Sequence, residues 1–111
     1  MKVETTERSG IVILRLDGAI LGGPEATSLN QEFHRLIDAG QTKVVVDLGG
    51  VTLMNSSGLG MLIGGYTTLK NAGGELRLAG ANDNIRNLIS ITKLNTIFQT
   101  CATVDDAVDS F

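Results

Sequence analysis

Apolar residues alternate with other residues in several short segments of the chain, the pattern that predicts β-strands. Val12, Leu14 and Leu16 show it near the start, where Gly10 is placed to separate this strand from a short first one in a hairpin. Three consecutive valines at 44–46 form instead the continuous apolar run that is typical of a central parallel strand. The predicted strands cover residues 2–6, 12–17, 43–48, 75–79 and 97–101.

Between these strands, apolar residues recur at helical spacing. Leu29, Phe33 and Leu36 define a first helix. Pro24 suits its first position, where a backbone N–H would have no partner, and Gly40 suits its C-terminal cap. The other predicted helices run over residues 56–71, from a cap at Asn82 or Asp83, and from a cap at Thr103. The order β-β-α-β-α-β-α-β-α favours one α/β domain over residues 1–111.

Composition and charge narrow the class of protein. A length of 111 residues suits one domain, and a hydrophobic content of 42% excludes disorder. The nine Lys and Arg residues are scattered and the net charge is −3, so neither nucleic acid nor a membrane surface is an expected partner. One cysteine, a polar stretch over residues 1–8 and the lack of a long apolar run indicate a cytoplasmic protein. We expect a monomer or a weak dimer without a cofactor.

The helix over residues 56–71 carries an unusual face. At 100° per residue, one side gathers large apolar residues that should pack on the sheet. The opposite side gathers Ser57, Gly60, Met61, Gly64 and Thr68. Each interior glycine costs about 0.5–1 kcal/mol relative to alanine, so several in one helix need a reason. We interpret this side as an exterior docking surface with Met61 as an adaptable apolar contact. The alternative is that the glycines pack against another part of the same chain.

Two serines stand at the start of this helix. Serine is a preferred N-cap, so a structural role explains Ser56 or Ser57 when each is considered alone. A phosphoacceptor role is the second possibility, because the free N–H groups and the dipole of a helix start tolerate a phosphate. Such a phosphate would place about two negative charges beside an uncharged docking surface and oppose binding there.

A longer motif contains these serines. The run from Asp47 to Gly60, Asp-Leu-Gly-Gly-Val-Thr-Leu-Met-Asn-Ser-Ser-Gly-Leu-Gly, resembles the phosphoacceptor segment of STAS domains of the anti-sigma factor antagonist type. The family form is Asp-Leu-x-x-Val-x-x-Met/Ile-Asp-Ser-Ser/Thr-Gly-Leu-Gly. Residues 70–78 and 91–94 are similar to later family segments. The resemblance implies the STAS fold, a mixed sheet of four to five strands with about four α-helices.

The resemblance also implies a mechanism in which the protein is not an enzyme. In the family, the unphosphorylated antagonist binds an anti-sigma factor that is also a serine kinase, which frees the sigma factor. That kinase phosphorylates the serine at the position of Ser56, and a PP2C-type phosphatase removes the phosphate. The partner-binding residues implied by this surface are Leu21, Gly22, Gly23, Asn55, Ser57, Gly58, Gly60, Met61 and Gly64.

Two departures from the family pattern keep other functions open. The aspartate before the phosphoserine is Asn55 here, and Leu21 replaces an acidic residue in the loop before the first helix. One alternative is an accessory subunit of a lipid-transport ABC system or a stressosome-like scaffold, and another is a small-molecule or nucleotide sensor. Enzymatic functions lack their parts, since the single histidine, His34, lies mid-helix with no evident link to Ser56.

Overall fold

The computed structural model describes all 111 residues and confirms the predicted order of elements. The strands are β1 Lys2–Arg8, β2 Ile11–Ile20, β3 Lys43–Met54, β4 Glu75–Ala79 and β5 Gln99–Cys101. The helices are α1 Pro24–Asp38, α2 Ser56–Asn71, α3 Asp83–Ile91 and α4 Val104–Asp109, with a 3-10 turn at Leu94–Thr96. No helix is both long and apolar enough to cross a membrane.

The five strands form one mixed sheet in the order β1-β2-β3-β4-β5. β1 pairs with β2 in the antiparallel direction, and the other pairs are parallel. The carboxyl ends of β2, β3 and β4 therefore meet at one edge, where α1, α2 and α3 begin. The main core of 21 buried apolar residues joins one face of the sheet to α1, α2 and α3, whereas a cluster of five on the other face includes Ala107 of α4.

The predicted helix ends agree with the structure. Pro24 is the first residue of α1, and Gly40, with a φ of +74°, follows its last turn in the left-handed region. Asn82, not Asp83, caps α3, because its side chain accepts a hydrogen bond from Ile85 N at 2.9 Å. Thr103 caps α4 in the same way.

β3 extends well beyond its predicted end at Leu48 and reaches Met54. Its register against β2 shifts twice, so that β3 carries an extra residue at each of two bulges. The buried residues of this part, Leu48, Val51 and Met54, consequently lie three positions apart instead of two. Alternation of apolar and polar residues could not reveal the part of this strand beyond Leu48.

Arg15 of β2 holds the first of these bulges. Its guanidinium contacts Asp47 Oδ2 at 3.2 Å and Asp17 Oδ1 at 3.2 Å, while Asp47 Oδ1 accepts a hydrogen bond from Gly49 N at 2.9 Å. The carboxylates of Asp17 and Asp47 raise the pKa of Arg15 above its ordinary value. The bulged strand delivers Asn55 and α2 to the carboxyl edge of the sheet.

Candidate functional site

α2 begins at a cap made by Asn55. The backbone of Asn55 is extended, and its side-chain oxygen accepts a hydrogen bond from Gly58 N at 2.8 Å. Its own N–H donates to Ile20 O at 3.4 Å, which ties the start of α2 to the end of β2. The capping role that the sequence allowed for a serine is therefore filled by Asn55, and Ser56, the first helical residue, is exposed with its hydroxyl free for other chemistry.

Two glycines of α2 are buried against the protein itself. A Cβ added at Gly58 would lie 2.0 Å from the carbonyl oxygen of Ile20, and one at Gly65 would lie 2.3 Å from the Phe33 ring. These contacts let β2 and α1 approach α2 closely. The prediction that Gly58 contacts a partner is therefore wrong, because β2 already occupies the space in front of it.

Two other glycines of α2 are open. No heavy atom outside the helix backbone lies within 4 Å of a Cβ added at Gly60 or Gly64. The two residues are one turn apart, and Ser57 precedes Gly60 on the same exposed strip. This strip is the part of the predicted docking surface that the structure leaves accessible.

Met61 does not belong to the open strip. Its exposed fraction is 8%, and it is part of the main core, so the prediction that it presents an exposed apolar contact is wrong. At 100° per residue, Met61 lies only about 40° from Gly65, on which Phe33 packs. α1 thus covers one border of the face that the sequence assigned to solvent, and the flexible methionine fills the space between the two helices.

A groove of about 450 Å³ lies between the first turns of α1 and the open strip of α2. We call it the α1–α2 groove. Six of its lining residues were predicted from the sequence, namely Gly22, Gly23, Ser57, Gly60, Met61 and Gly64. Its other lining residues are Gly65 of α2 and Ala26, Thr27 and Asn30 of α1. Sequence reasoning missed the α1 wall, whose only signal is a run of small or uncharged residues on the side of that helix that faces α2.

The loop over residues 21–23 closes the groove next to the start of α2. A Cβ added at Gly22 would lie 2.8 Å from Ser57 Cβ, and Gly22 has a φ of +87°, so both its space and its backbone favour glycine. Leu21 is exposed at the head of this loop. The structure thus brings the loop and Ser57 into direct contact, as one continuous wall.

The chain segments on both sides of Ser56, and the loop that contacts Ser57, carry no charged residue. Residues 18–24 and 48–69, which build the loop, the end of β3 and nearly all of α2, include no Asp, Glu, Lys, Arg or His. No acidic residue lies in the first turn of α2, where the positive end of the helix dipole and free N–H groups favour an anion. A phosphate on Ser56 would add a strong charge to a stretch of the chain that carries none.

Comparisons with known proteins agree with the fold and the motif. Residues 2–107 match the family model described as the STAS domain. The anti-sigma F factor antagonist of Paenibacillus polymyxa is 26% identical over 85% of this chain and 80% of its own length. An anti-sigma factor antagonist from Mycobacterium paratuberculosis has a similar structure, with a TM-score of 0.85, 23% identity and coverage of 98% and 92%. The structure of the Bacillus cell fate determinant SpoIIAA in its phosphorylated form is also similar, with a TM-score of 0.74 and 20% identity, and the match covers 98% of each chain.

Proposed function

Because this chain belongs to the STAS domain family, we propose that it is an anti-sigma factor antagonist whose partner binding is controlled by phosphorylation of Ser56. In its unphosphorylated form it binds an anti-sigma factor and so releases a sigma factor to activate transcription. It acts as a binding protein and not as an enzyme. The observation that carries the proposal is an exposed, uncommitted Ser56 hydroxyl at the start of α2, beside an uncharged groove.

The chemistry of the switch is phosphoryl transfer to Ser56. The serine oxygen forms a bond to the γ-phosphorus of ATP bound by the anti-sigma factor, which is also the kinase. The bond to ADP breaks, and the hydroxyl proton is lost to the kinase or solvent. A PP2C-type phosphatase restores the hydroxyl by hydrolysis. Geometry favours Ser56 over Ser57, because Ser57 lines the groove and lies against the loop at Gly22.

The phosphate would act at the mouth of the α1–α2 groove. The N–H groups at the start of α2 accommodate it without unfolding the helix. A partner that covers the groove would have to desolvate about two added charges beside a groove that no cationic side chain lines. Phosphorylation therefore lowers the affinity for the partner and leaves the fold intact.

An accessory or scaffold role, in a lipid-transport ABC system or a stressosome-like complex, is the second candidate function. The observation that favours it is the absence of charge at Asn55 and Leu21. Asn55 keeps the cap bond that an aspartate would make but does not supply a carboxylate to a kinase. The same groove would then dock a partner without control by phosphorylation.

One experiment separates the two functions. Wild-type protein and Ser56→Asp are used in parallel to capture partners from a lysate of the source organism, and the captured proteins are identified by mass spectrometry. Ser90→Asp is the matched control, since Ser90 is an exposed serine on α3 away from the groove. We expect wild type and Ser90→Asp to retain an anti-sigma factor with kinase activity and Ser56→Asp to lose it. Capture of transporter or scaffold subunits, equal for all three, would favour the second function.

Incubation of the purified protein with that kinase and ATP completes the test. The expected product carries one phosphate, and Ser56→Ala carries none, whereas Ser57→Ala is still modified. Modification that persists in Ser56→Ala would contradict the assignment of the phosphoacceptor.

A further inference from the structure

Two leucines are exposed at the carboxyl edge of the sheet. The exposed fractions are 55% for Leu53 and 48% for Leu21. Their chain neighbours, Met54 and Ile20, are buried in the main core, so the leucines point away from it. Ile20 and Met54 are register partners on the adjacent strands β2 and β3, which places the two leucines on neighbouring chain segments.

The leucine pair is continuous with the candidate site. Leu53 lies three residues before Ser56, and Leu21 begins the loop that lines the α1–α2 groove. The hydrogen bond from Asn55 N to Ile20 O joins the two segments at this point. The exposed leucines and the groove therefore lie on either side of the start of α2, where Ser56 projects.

The chemistry of this corner is that of an interface core. Interface cores are depleted of charged residues and contain apolar anchors, whereas other exposed surface is normally charged. Leu21 and Leu53 both fall within the charge-free segments 18–24 and 48–69. Val3 and Ile91 are also exposed but lie near charges, since Val3 stands between Lys2 and Glu4 and Ile91 lies two residues from Lys93. Ile97 is exposed within the charge-free segment 94–104, but it is far from Ser56 in sequence and has no exposed leucine paired with it across adjacent strands.

We propose that Leu53, together with Leu21, is the apolar anchor on which the anti-sigma factor docks. The inference rests on the proposed function and adds a contact that replaces the buried Met61. The partner covers the leucine pair with apolar side chains of its own and reaches across Ser56 into the groove. A phosphate on Ser56 then places its charge between the leucine pair and the groove, so that it opposes the partner's contact with both.

The test uses the purified anti-sigma factor identified by the capture experiment and measures its affinity by calorimetry. Leu53→Thr keeps a residue suited to a strand and removes the apolar side chain. We expect its Kd to rise roughly tenfold or more, and that of Leu21→Thr to rise as well. The Leu53→Met variant, which keeps an apolar side chain at this position, should bind with wild-type affinity. Ile91→Thr is the matched control, an exposed apolar residue far from Ser56 in sequence, and should bind as wild type.

Each other outcome overturns the inference in a distinguishable way. Wild-type affinity in Leu53→Thr would contradict the anchor and leave the proposed function standing, whereas failure of wild type to bind the anti-sigma factor would contradict both. Lipid or a second copy would be the occupant if Leu53→Thr retains the anti-sigma factor but abolishes co-sedimentation with phosphatidylglycerol vesicles or self-association in sedimentation velocity. If Leu53→Thr lowered the melting temperature as well as the affinity, and Leu53→Met did the same, Leu53 would have a structural role instead of a binding role.

Discussion

Gly58 and Gly65 of α2 are buried in close contact with β2 and α1, whereas Gly60 and Gly64 are exposed on the open strip of the same helix. The first pair has backbone or an aromatic ring within 2.3 Å of an added Cβ, and the second has nothing within 4 Å. The same residue type thus serves close packing on one side of a helix and an open surface on the other. The comparison teaches that a glycine-rich helix must be divided by its contacts before any glycine is assigned to binding.

The largest effect should come from filling the closed side. In Gly58→Ala the added methyl group would meet the carbonyl of Ile20, which is fixed by the sheet and cannot move aside. We expect a loss of about 3 kcal/mol or more in the free energy of unfolding, the upper end for overpacking. Chemical denaturation measures it, with Gly60→Ala as the matched control. Equal stability of the two variants would show that the division of the glycines is wrong.

Removal of Met61 should have the next largest effect. Met61 is buried between α1 and α2, so Met61→Ala leaves a cavity there, and we expect a loss of about 2–3 kcal/mol in the free energy of unfolding. Leu53→Thr, which changes an exposed side chain, should stay within about 0.5 kcal/mol of wild type. If Met61→Ala were as stable as Leu53→Thr, the methionine would belong to the open side after all.

A smaller effect, of opposite sign, is expected on the open side. Gly60→Ala and Gly64→Ala add a methyl group into free space and should each stabilise the protein by about 0.5–1 kcal/mol, because alanine favours the helix. Gly64→Leu should also fold but should fill part of the groove. We expect it to weaken binding of the anti-sigma factor, which calorimetry would detect. A stable Gly64→Leu variant with unchanged affinity would remove the groove from the interface.

The sequence predicted the fold better than the site, for physical reasons. Local patterns such as the valines at 44–46, the caps and the alternation at 75–79 depend on neighbouring residues, and these elements agree with the structure. The bulges of β3 break alternation, and the burial of Gly58, Met61 and Gly65 depends on where α1 and β2 pack. A helical wheel separates a sheet side from the opposite side but does not show how far a neighbouring helix extends over it.

The smallest expected effect on stability concerns charged residues. No charged residue lines the α1–α2 groove, whereas Glu32 and Arg35 lie on another side of α1. Hydrogen bonds from Arg35 and Thr5 lower the pKa of Glu32 below its ordinary value of 4.5. The stabilisation from this carboxylate is therefore complete above the unfolded pKa and is lost as pH falls through the lower, folded pKa.

Glu32→Gln should accordingly remove a few tenths of a kcal/mol at pH 7 and show a shallower loss of stability below pH 4 than wild type. Denaturant midpoints measured from pH 3 to pH 7 check both. The stabilisation by Gly60→Ala should stay the same at every pH in that range, because no ionisable side chain lines the groove. A pH-dependent effect of Gly60→Ala would reveal a charged group at the open side of α2 and would contradict the electrically neutral surface on which the phosphate is proposed to act.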